Sequence, residues 1–131
     1  MLKTFKEISK KHPDVKLIII GEGELRSEYE NMCNELDIKD KVIFTGYVNN
    51  EELPKYYCAS DLFVLPSLTR EEAFGIVLLE AAACGCVPVC FNIPGPGEVC
   101  KNLGGLVASA ENPMIGLKKT ISEALSLLAH H

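Results

Sequence analysis

The sequence has no apolar run of about 18 residues, the length that a membrane-spanning helix needs. It also has no charged segment followed by an apolar one at the N-terminus, so it shows no secretory signal. We therefore expect a cytoplasmic protein. The alternative for the full-length protein is a peripheral position at the inner face of the membrane.

Basic residues are too few for a nucleic-acid-binding surface. The chain has 13 lysines and arginines against 18 aspartates and glutamates, so its formal net charge is -5. A protein that binds nucleic acid needs a basic stripe that neutralises phosphates. We expect no nucleic-acid partner.

Metal-binding patterns are missing as well. Cys84, Cys86 and Cys90 lack the paired spacing of a zinc site, and the histidines are too scattered to complete one. No Asp-x-Asp pair occurs, which argues against a metal-bound diphosphate. We expect no metal and no resident cofactor.

The cysteines stand singly within apolar stretches of the sequence. For this reason we expect small buried residues and not disulfide bridges. They are Cys33, Cys58, Cys84, Cys86, Cys90 and Cys100.

The length and apolar content fit one compact domain over residues 1–131. With 47% hydrophobic residues, a chain of 131 residues can bury about two-thirds of its unfolded surface. Short apolar runs, many of them β-branched, alternate with helical patterns. This alternation predicts an α/β fold with a doubly wound, Rossmann-like parallel sheet. The predicted strands are residues 15–20, 42–45, 61–65, 87–91 and 105–107, and the predicted helices are 2–12, 24–36, 50–58, 75–85 and 112–128, with Asn49 and Asn112 as caps.

In a doubly wound fold, ligands bind at the carboxyl ends of the strands. The loops predicted at that edge are residues 21–23, 46–49, 66–75 and 92–98, so the ligand-binding residues proposed below are expected to converge on one rim. The Gly and Pro cluster at 93–98 is interpreted as a loop, and Glu98 is assigned only to that loop.

The run EEAFGIVLLEAAACG places Glu72 and Glu80 on either side of a predicted helix start. Gly75 breaks the preceding loop and good helix formers follow it, so the helix is expected to open near residue 75. The free N–H groups of Gly75, Ile76 and Val77, together with the positive end of the helix dipole, would bind a diphosphate. Glu80 would accept hydrogen bonds from a ribose diol.

The same string resembles the signature of the group 1 glycosyltransferases, which are retaining, nucleotide-sugar-dependent enzymes of two-domain GT-B architecture. Seven residues separate Glu72 from Glu80, as in that family, and Phe74 and Gly75 lie between them. The resemblance extends upstream to HPDVKLIIIGEGELR and KVIFTGYVNNEELPKYYCASDLFVLPS. The chain therefore resembles the C-terminal, donor-binding half of such an enzyme.

This resemblance implies the donor-binding part of an enzyme that moves a hexose from a nucleoside diphosphate sugar to an unknown acceptor. The nucleotide-sugar is then a substrate and not a cofactor. Glu72 is implied to contact the transferred sugar as the catalytic residue. The implied substrate-binding positions are the backbone at Phe74 and Gly75, the diphosphate donors Ile76 and Val77, the ribose ligand Glu80, the base contacts Tyr47 and Val48, and the turn at Gly21.

The resemblance also implies an incomplete domain. The family's first strand of this domain and its N-terminal acceptor domain have no counterpart in this sequence, so the isolated chain is expected to be inactive. The neighbours of the absent strand would present unpaired sheet edges, and association into a homo-oligomer through them is a further hypothesis.

Two other functions stay open. One is a non-catalytic nucleotide-binding or protein-interaction module of the same fold. The other is a dinucleotide oxidoreductase, for which Gly21 and Gly23 are weak evidence because Arg26 stands where a third glycine is needed. The aromatic residues near these segments are interpreted as half-buried packing residues: Tyr47, Tyr56 and Tyr57.

Overall fold

The computed structural model describes residues 1–66 and 74–129 of the chain. These residues form two compact units. The first unit covers Met1–Asn50, and the second unit begins at Glu51. Among the described residues, no helix is both long and apolar enough to cross a bilayer.

The first unit is a two-stranded parallel sheet with two α-helices. Strand β1 pairs with strand β2, with Leu17 opposite Val42 and Ile19 opposite Phe44. A short 3-10 turn leads into β2. The elements are α1 (Leu2–Lys11), β1 (Leu17–Ile19), α2 (Arg26–Glu35) and β2 (Val42–Phe44).

The core of the first unit forms beneath α1. Leu2, Phe5 and Ile8 follow each other at a spacing of three residues, which places them on one face of the helix, and all three are buried. Leu2 and Phe5 pack with Cys33 of α2 and with Val42 of β2. Each fully buried large apolar side chain contributes about 1.5–3 kcal/mol to folding.

The second unit is a three-stranded parallel sheet in the order β3-β4-β5, with helices between the strands and after the last one. Central strand β4 is the most buried, because strands flank it on both sides. The elements are α3 (Leu53–Ala59), β3 (Leu62–Leu65), α4 (Phe74–Ala83), β4 (Val87–Phe91), α5 (Pro96–Asn102), β5 (Leu106–Ala108) and α6 (Pro113–Ala129).

Helix α4 is held on two sides. Leu78 packs with Cys90 of β4 and Cys100 of α5. Ala81 packs with Tyr57 of α3 and with other buried side chains. Leu78 and Ala81 are both 0% exposed, and their spacing of three residues puts them on one helix face. This packing fixes which face of α4 points to solvent.

The predicted α/β class is confirmed, because every described strand pair is parallel and helices alternate with strands. The predicted strands are all present, with bounds that differ by at most two residues. The hydrogen bonds join the strands into two sheets, one in each unit.

The prediction of a loop over 93–98 was wrong, because helix α5 begins at Pro96 and contains Glu98 in its first turn. Proline is well suited to the first position of a helix, where its missing N–H would have had no partner. The cluster of Gly and Pro was interpreted as a loop although it contains a helix start.

The cap prediction was wrong at Asn49. Helix α3 begins at Leu53 with Glu52 as its N-cap, and Pro54 in the first turn sets this start. Asn112 lies where predicted, since its carbonyl oxygen accepts a 2.8 Å hydrogen bond from the N–H of Gly116 at the start of α6.

The expectation for the cysteines is correct for most of them. All are free thiols, and Cys33, Cys86, Cys90 and Cys100 are buried. Two differ from the prediction, because Cys58 is exposed and Cys84 is only half-buried. Whether a cysteine is buried depends on which side of its helix packs against the core, and not on the apolar residues next to it in the sequence.

Candidate functional site

The predicted helix start is present in the second unit. Helix α4 begins at Phe74, one residue before the predicted position. In a helix with this start, the N–H groups of Phe74, Gly75 and Ile76 have no acceptor within the helix, and the positive end of the dipole lies there. The N–H group of Val77 lies one position further into the helix, where the helix itself provides an acceptor. Glu72 is among residues 67–73, which lie outside the described residues.

The first turn of α4 faces the ligand-binding edge of its sheet. The helix follows β3 and runs back to the start of β4, where the N–H of Cys86 donates to the carbonyl oxygen of Ala81 at 3.0 Å. The opposite end of the helix therefore lies at the carboxyl ends of the parallel strands. Ligands bind at this edge in open α/β sheets.

Glu80 lies on the solvent side of α4. Leu78 and Ala81 form the buried face, whereas Ile76 is 62% exposed and Leu79 is 54% exposed. Glu80 is exposed as well and lies one turn after Ile76. Among the described residues it forms no ion pair. A carboxylate in this exposed position can accept hydrogen bonds from the hydroxyl groups of a ligand.

The negative charge of Glu80 contributes to the raised pKa values of two other groups in the second unit. Burial is the main cause that raises the pKa of the Tyr57 hydroxyl, and the negative charge of Glu80 adds to this shift. The pKa of the Cys84 thiol is raised mainly by its hydrogen bond with Cys58, and Glu80 contributes there too.

In the first unit, Gly21 lies directly beyond the carboxyl end of β1. Its N–H donates a 3.0 Å hydrogen bond to the carbonyl oxygen of Gly46, just beyond β2. Gly21 has a φ of +113°, which a side chain would disfavour. The two strand ends are thus joined by a bridge between glycines at the edge of the sheet.

A small groove opens beside this bridge. Its volume is about 150 Å³, and Gly21, Tyr29 and Phe44 are among the residues that line it. Pockets that enclose whole ligands of drug size measure roughly 300–1,000 Å³. This groove therefore has room for one ring or a similar part of a ligand.

Arg26 also lines the groove and was not predicted as a functional residue. Its guanidinium carbon lies 5.8 Å from the centre of the Phe44 ring, and its Nε donates to Glu30 at 2.8 Å. The hydrogen bond with Glu30 is the main cause that raises the pKa of Arg26, and Glu22 contributes. The spacing of four residues from Glu22 to Arg26 to Glu30 is the sequence signal that indicates this cluster.

Tyr47 corrects the interpretation of the tyrosines as packing residues. Its side chain is 80% exposed, whereas Tyr57 is buried and Tyr56 is half-buried, as expected. Tyr47 has this exposure because it follows the end of β2, beyond the core beneath α1. Val48, the next residue, is half-buried.

The site residues are therefore distributed over both units. Gly21, Tyr47 and Val48 lie in the first unit, and the described part of the helix-terminal site lies in the second unit. That these residues share one cleft stays a prediction. Within the described chain, no group of three or more His, Cys, Asp or Glu side chains is placed to hold a metal ion.

Comparison with known proteins shows a match along most of the chain. Residues 1–127 match the family described as glycosyl transferases, group 1. An uncharacterized glycosyltransferase of Methanocaldococcus jannaschii is 36% identical over 114 residues, which cover 86% of this chain and 28% of that protein. The GDP-mannose-dependent alpha-(1-6)-phosphatidylinositol monomannoside mannosyltransferase of Mycolicibacterium smegmatis is 36% identical over 94 residues, or 68% of this chain and 24% of that one.

The fold is also found among solved structures. WaaG, a glycosyltransferase involved in lipopolysaccharide biosynthesis, superposes with a TM-score of 0.76 over 95% of this chain and 34% of its own. Its identity of 22% supports the shared fold alone. The chain spans about a quarter of the length of the curated relatives it matches. These findings confirm the resemblance to the C-terminal domain of GT-B glycosyltransferases.

Proposed function

Because the chain belongs to the group 1 glycosyltransferases, we propose that it is the donor-binding part of an enzyme that transfers a hexose to an acceptor. The donor is a nucleoside diphosphate sugar, and the configuration at the transferred carbon is retained. The observation that carries this proposal is the start of α4 at the carboxyl edge of its sheet, with the exposed carboxylate of Glu80 on the same helix.

The start of α4 suits a diphosphate. The N–H groups of Gly75 and Ile76 belong to its first turn and have no acceptor within the helix, in a chain whose net charge is -5. Backbone donors and the helix dipole attract an anion without a lysine, and the dipole contributes about 0.3–1 kcal/mol for an exposed charge. In the transfer, negative charge grows on the departing diphosphate, so these donors would stabilise charge where it develops.

Glu80 suits the ribose of the donor. A carboxylate can accept a hydrogen bond from each of two neighbouring hydroxyl groups. Glu80 is exposed, so a ligand in solution can reach its carboxylate. Hydrogen bonds to a charged group contribute about 1.5–3 kcal/mol, so loss of the Glu80 carboxylate should weaken binding measurably.

We assign the transferred sugar to Glu72 and to the backbone at Phe74 and Gly75. The sugar acquires positive character in an oxocarbenium-like transition state. Glu72 would orient the sugar and stabilise that positive character, and the donor phosphate would assist the acceptor on the same face. Glu72 is not assigned as a nucleophile.

In the first unit, we assign the nucleobase to the backbone of Tyr47 and Val48 and a lining role to Gly21. The exposure of Tyr47 and the small groove at Gly21 support this assignment. The nucleotide-sugar is the substrate, and no resident cofactor is proposed. A relative named for a phosphatidylinositol monomannoside acceptor supports a peripheral position of the whole enzyme at the inner face of the membrane.

Calorimetric titration with nucleoside diphosphates tests the proposal directly. GDP, UDP and ADP are titrated into the chain and into the Glu80→Ala variant. We expect saturable binding of at least one of them and a loss of roughly tenfold or more in affinity on Glu80→Ala, since about 1.4 kcal/mol corresponds to a factor of ten. Glu123→Ala is the matched control, because Glu123 is an exposed glutamate on α6.

The outcome also separates the alternatives. Binding of no nucleoside diphosphate would contradict the proposal and leave a protein-interaction module. Binding that is unchanged by Glu80→Ala would retain a nucleotide-binding module and contradict the role of Glu80. Saturable binding of NAD in place of the diphosphates would favour an oxidoreductase.

A further inference from the structure

The carboxyl ends of β1 and β2 are joined by a small hydrogen-bond network centred on Gly46. The carbonyl oxygen of Gly46 accepts a 3.0 Å hydrogen bond from the N–H of Gly21 and a 2.9 Å hydrogen bond from the hydroxyl of Thr45. The N–H of Thr45 donates to the carbonyl oxygen of Ile19 at 3.1 Å. These bonds fix the carbonyl group of Gly46 directly before Tyr47.

Two charged side chains lie beside the α-carbon of Gly46. A Cβ atom on Gly46 would lie 2.8 Å from the Oε1 of Glu22 and 3.4 Å from the Nη1 of Arg26. These side chains therefore occupy the space that a side chain at position 46 would need. Glycine has no Cβ and adopts the φ of +72° found here at little cost, so the close approach of Glu22 depends on glycine at this position.

Arg26 links these groups to one another. Its Nη1 donates a hydrogen bond to the Oε1 of Glu22, and its Nε donates to Glu30 at 2.8 Å. Its guanidinium carbon lies 5.8 Å from the centre of the ring of Phe44, two residues before Gly46 in the chain. A guanidinium group is planar and carries its donors in a fixed arrangement, so these three contacts hold Arg26 in one orientation. Arg26 therefore connects the start of α2 with the end of β2.

We propose that Glu22 and Arg26 are positioning residues for recognition of the nucleobase. They hold the backbone at Gly46, and this sets the direction in which Tyr47 and Val48 leave the end of β2. The inference rests on the proposed function, which assigns the nucleobase to the backbone of Tyr47 and Val48. Neither charged side chain contacts the base in this proposal, because both act through Gly46. Backbone groups that are in place before the ligand arrives avoid the entropic cost of ordering on binding.

The exposure of this segment explains why such positioning is needed. The side chain of Tyr47 is 80% exposed, so its burial does not hold the chain after β2 in place. The Glu22 and Arg26 side chains are themselves 52% and 35% exposed, and ion pairs at this exposure contribute little to global stability. Loss of their contacts should therefore show as local opening of the strand ends, with global unfolding almost unchanged.

Amide hydrogen exchange followed by NMR tests the positioning without any ligand. The N–H of Gly21 is the probe, because its hydrogen bond to Gly46 must open before it exchanges. We expect this amide to exchange several-fold faster in Glu22→Gln and in Arg26→Lys than in the wild type. Arg26→Lys keeps the net charge but loses the planar arrangement of donors, so faster exchange there does not come from a changed charge near the amide.

Glu30→Gln is the matched control. Glu30 is also exposed and also accepts a hydrogen bond from Arg26, whereas Glu22 is the glutamate that lies against Gly46. We expect exchange at Gly21 in Glu30→Gln to match the wild type. Unchanged exchange at Gly21 in Glu22→Gln and Arg26→Lys would overturn the proposal, as would an equal acceleration in Glu30→Gln.

Calorimetric titration then tests the effect on the base. GDP, UDP, ADP and inorganic pyrophosphate are titrated into the wild type and the three variants. We expect a several-fold loss of affinity for the nucleoside diphosphates in Glu22→Gln and Arg26→Lys, with a smaller difference among the three bases. Affinity for pyrophosphate should stay unchanged, because the proposed diphosphate donors belong to α4. A merely structural role would not reduce the discrimination among bases.

The outcomes separate this inference from the proposed function. Faster exchange at Gly21 with unchanged affinities and unchanged discrimination among the bases would contradict the role in base recognition. Equal losses for pyrophosphate and the nucleoside diphosphates would contradict it as well, since they indicate a general structural effect. If the wild type binds no nucleoside diphosphate, the proposed function fails and the recognition role fails with it, whereas the exchange rates still decide whether Glu22 and Arg26 position Gly46.

Discussion

The thiol of Cys86 donates a 2.8 Å hydrogen bond to the carbonyl oxygen of Tyr57. Cys86 immediately precedes β4, and Tyr57 lies in α3, so this bond joins the entry of the central strand to a helix. The Tyr57 ring also meets Phe63 of β3 edge-on, with 5.5 Å between the ring centres. These two contacts of Tyr57 thus fix the position of α3 relative to β3 and β4.

The Cys86 contact predicts a pH-dependent stability. Burial raises the pKa of the Cys86 thiol above its ordinary value of 9.0. A thiol with a higher pKa in the folded state contributes its full stability below the unfolded pKa and loses it as the pH rises through the folded pKa. We expect the free energy of unfolding to fall above pH 9.0, and to fall less in Cys86→Ala.

Urea unfolding followed by circular dichroism at a series of pH values measures this difference. At neutral pH, Cys86→Ala should cost about 1 kcal/mol for the lost hydrogen bond. Cys58→Ala is the control, because Cys58 is exposed. Equal slopes above pH 9.0 in the wild type and Cys86→Ala would show that the Cys86 thiol does not titrate differently in the folded state.

The buried and exposed faces of α4 predict a large and a small loss of stability for the same substitution. Leu78 is 0% exposed and Leu79 is 54% exposed. Leu78→Ala leaves a cavity between α4, β4 and α5 and should lower the free energy of unfolding by about 2–5 kcal/mol. Leu79→Ala should change it by less than about 0.5 kcal/mol. Equal losses in urea unfolding would mean that the assigned buried face of α4 is wrong.

Gly105 is predicted to tolerate no side chain. A Cβ atom there would lie 2.4 Å from the carbonyl oxygen of Pro88 and 2.7 Å from the Sγ of Cys100. Gly105→Ala should force the start of β5 away from β4 and α5 and cost about 1–3 kcal/mol, as overpacking does elsewhere. Gly23→Ala serves as the control, because a Cβ at Gly23 meets no atom within 4 Å. A thermal melt in which both variants match the wild type would contradict the packing at Gly105.

A substitution at Gly46 separates the energetic cost of an unfavourable backbone conformation from the cost of steric crowding. Its φ is +72°, and a Cβ atom there would lie 2.8 Å from the Oε1 of Glu22. Glu22 is exposed, so we expect its side chain to move away from the added Cβ and the backbone conformation at Gly46 to dominate the cost. Gly46→Ala should lower the free energy of unfolding by about 1–2 kcal/mol. The loss should persist in a Glu22→Ala background, and its disappearance there would assign the cost to the Glu22 contact.

Local sequence patterns determined the α/β class and most element positions. The buried run at β4 was placed without error, since a short apolar run in this alternation has few other conformations available. The start of α4 was placed within one residue, because Gly75 and the helix formers after it act locally. Helix α5 was missed, because Pro96 ends a loop pattern and opens a helix at the same point.

Only the tertiary structure decided which side chains face solvent. The sequence grouped Tyr47 with Tyr57, yet the end of β2 exposes the first while the contact between α3 and α4 buries the second. It described Cys58 and Cys84 as buried residues, whereas the packing of the helix ends leaves Cys58 exposed and Cys84 half-buried. Periodicity reports the face on which a residue lies within its own element, but contact between distant residues depends on how the elements pack.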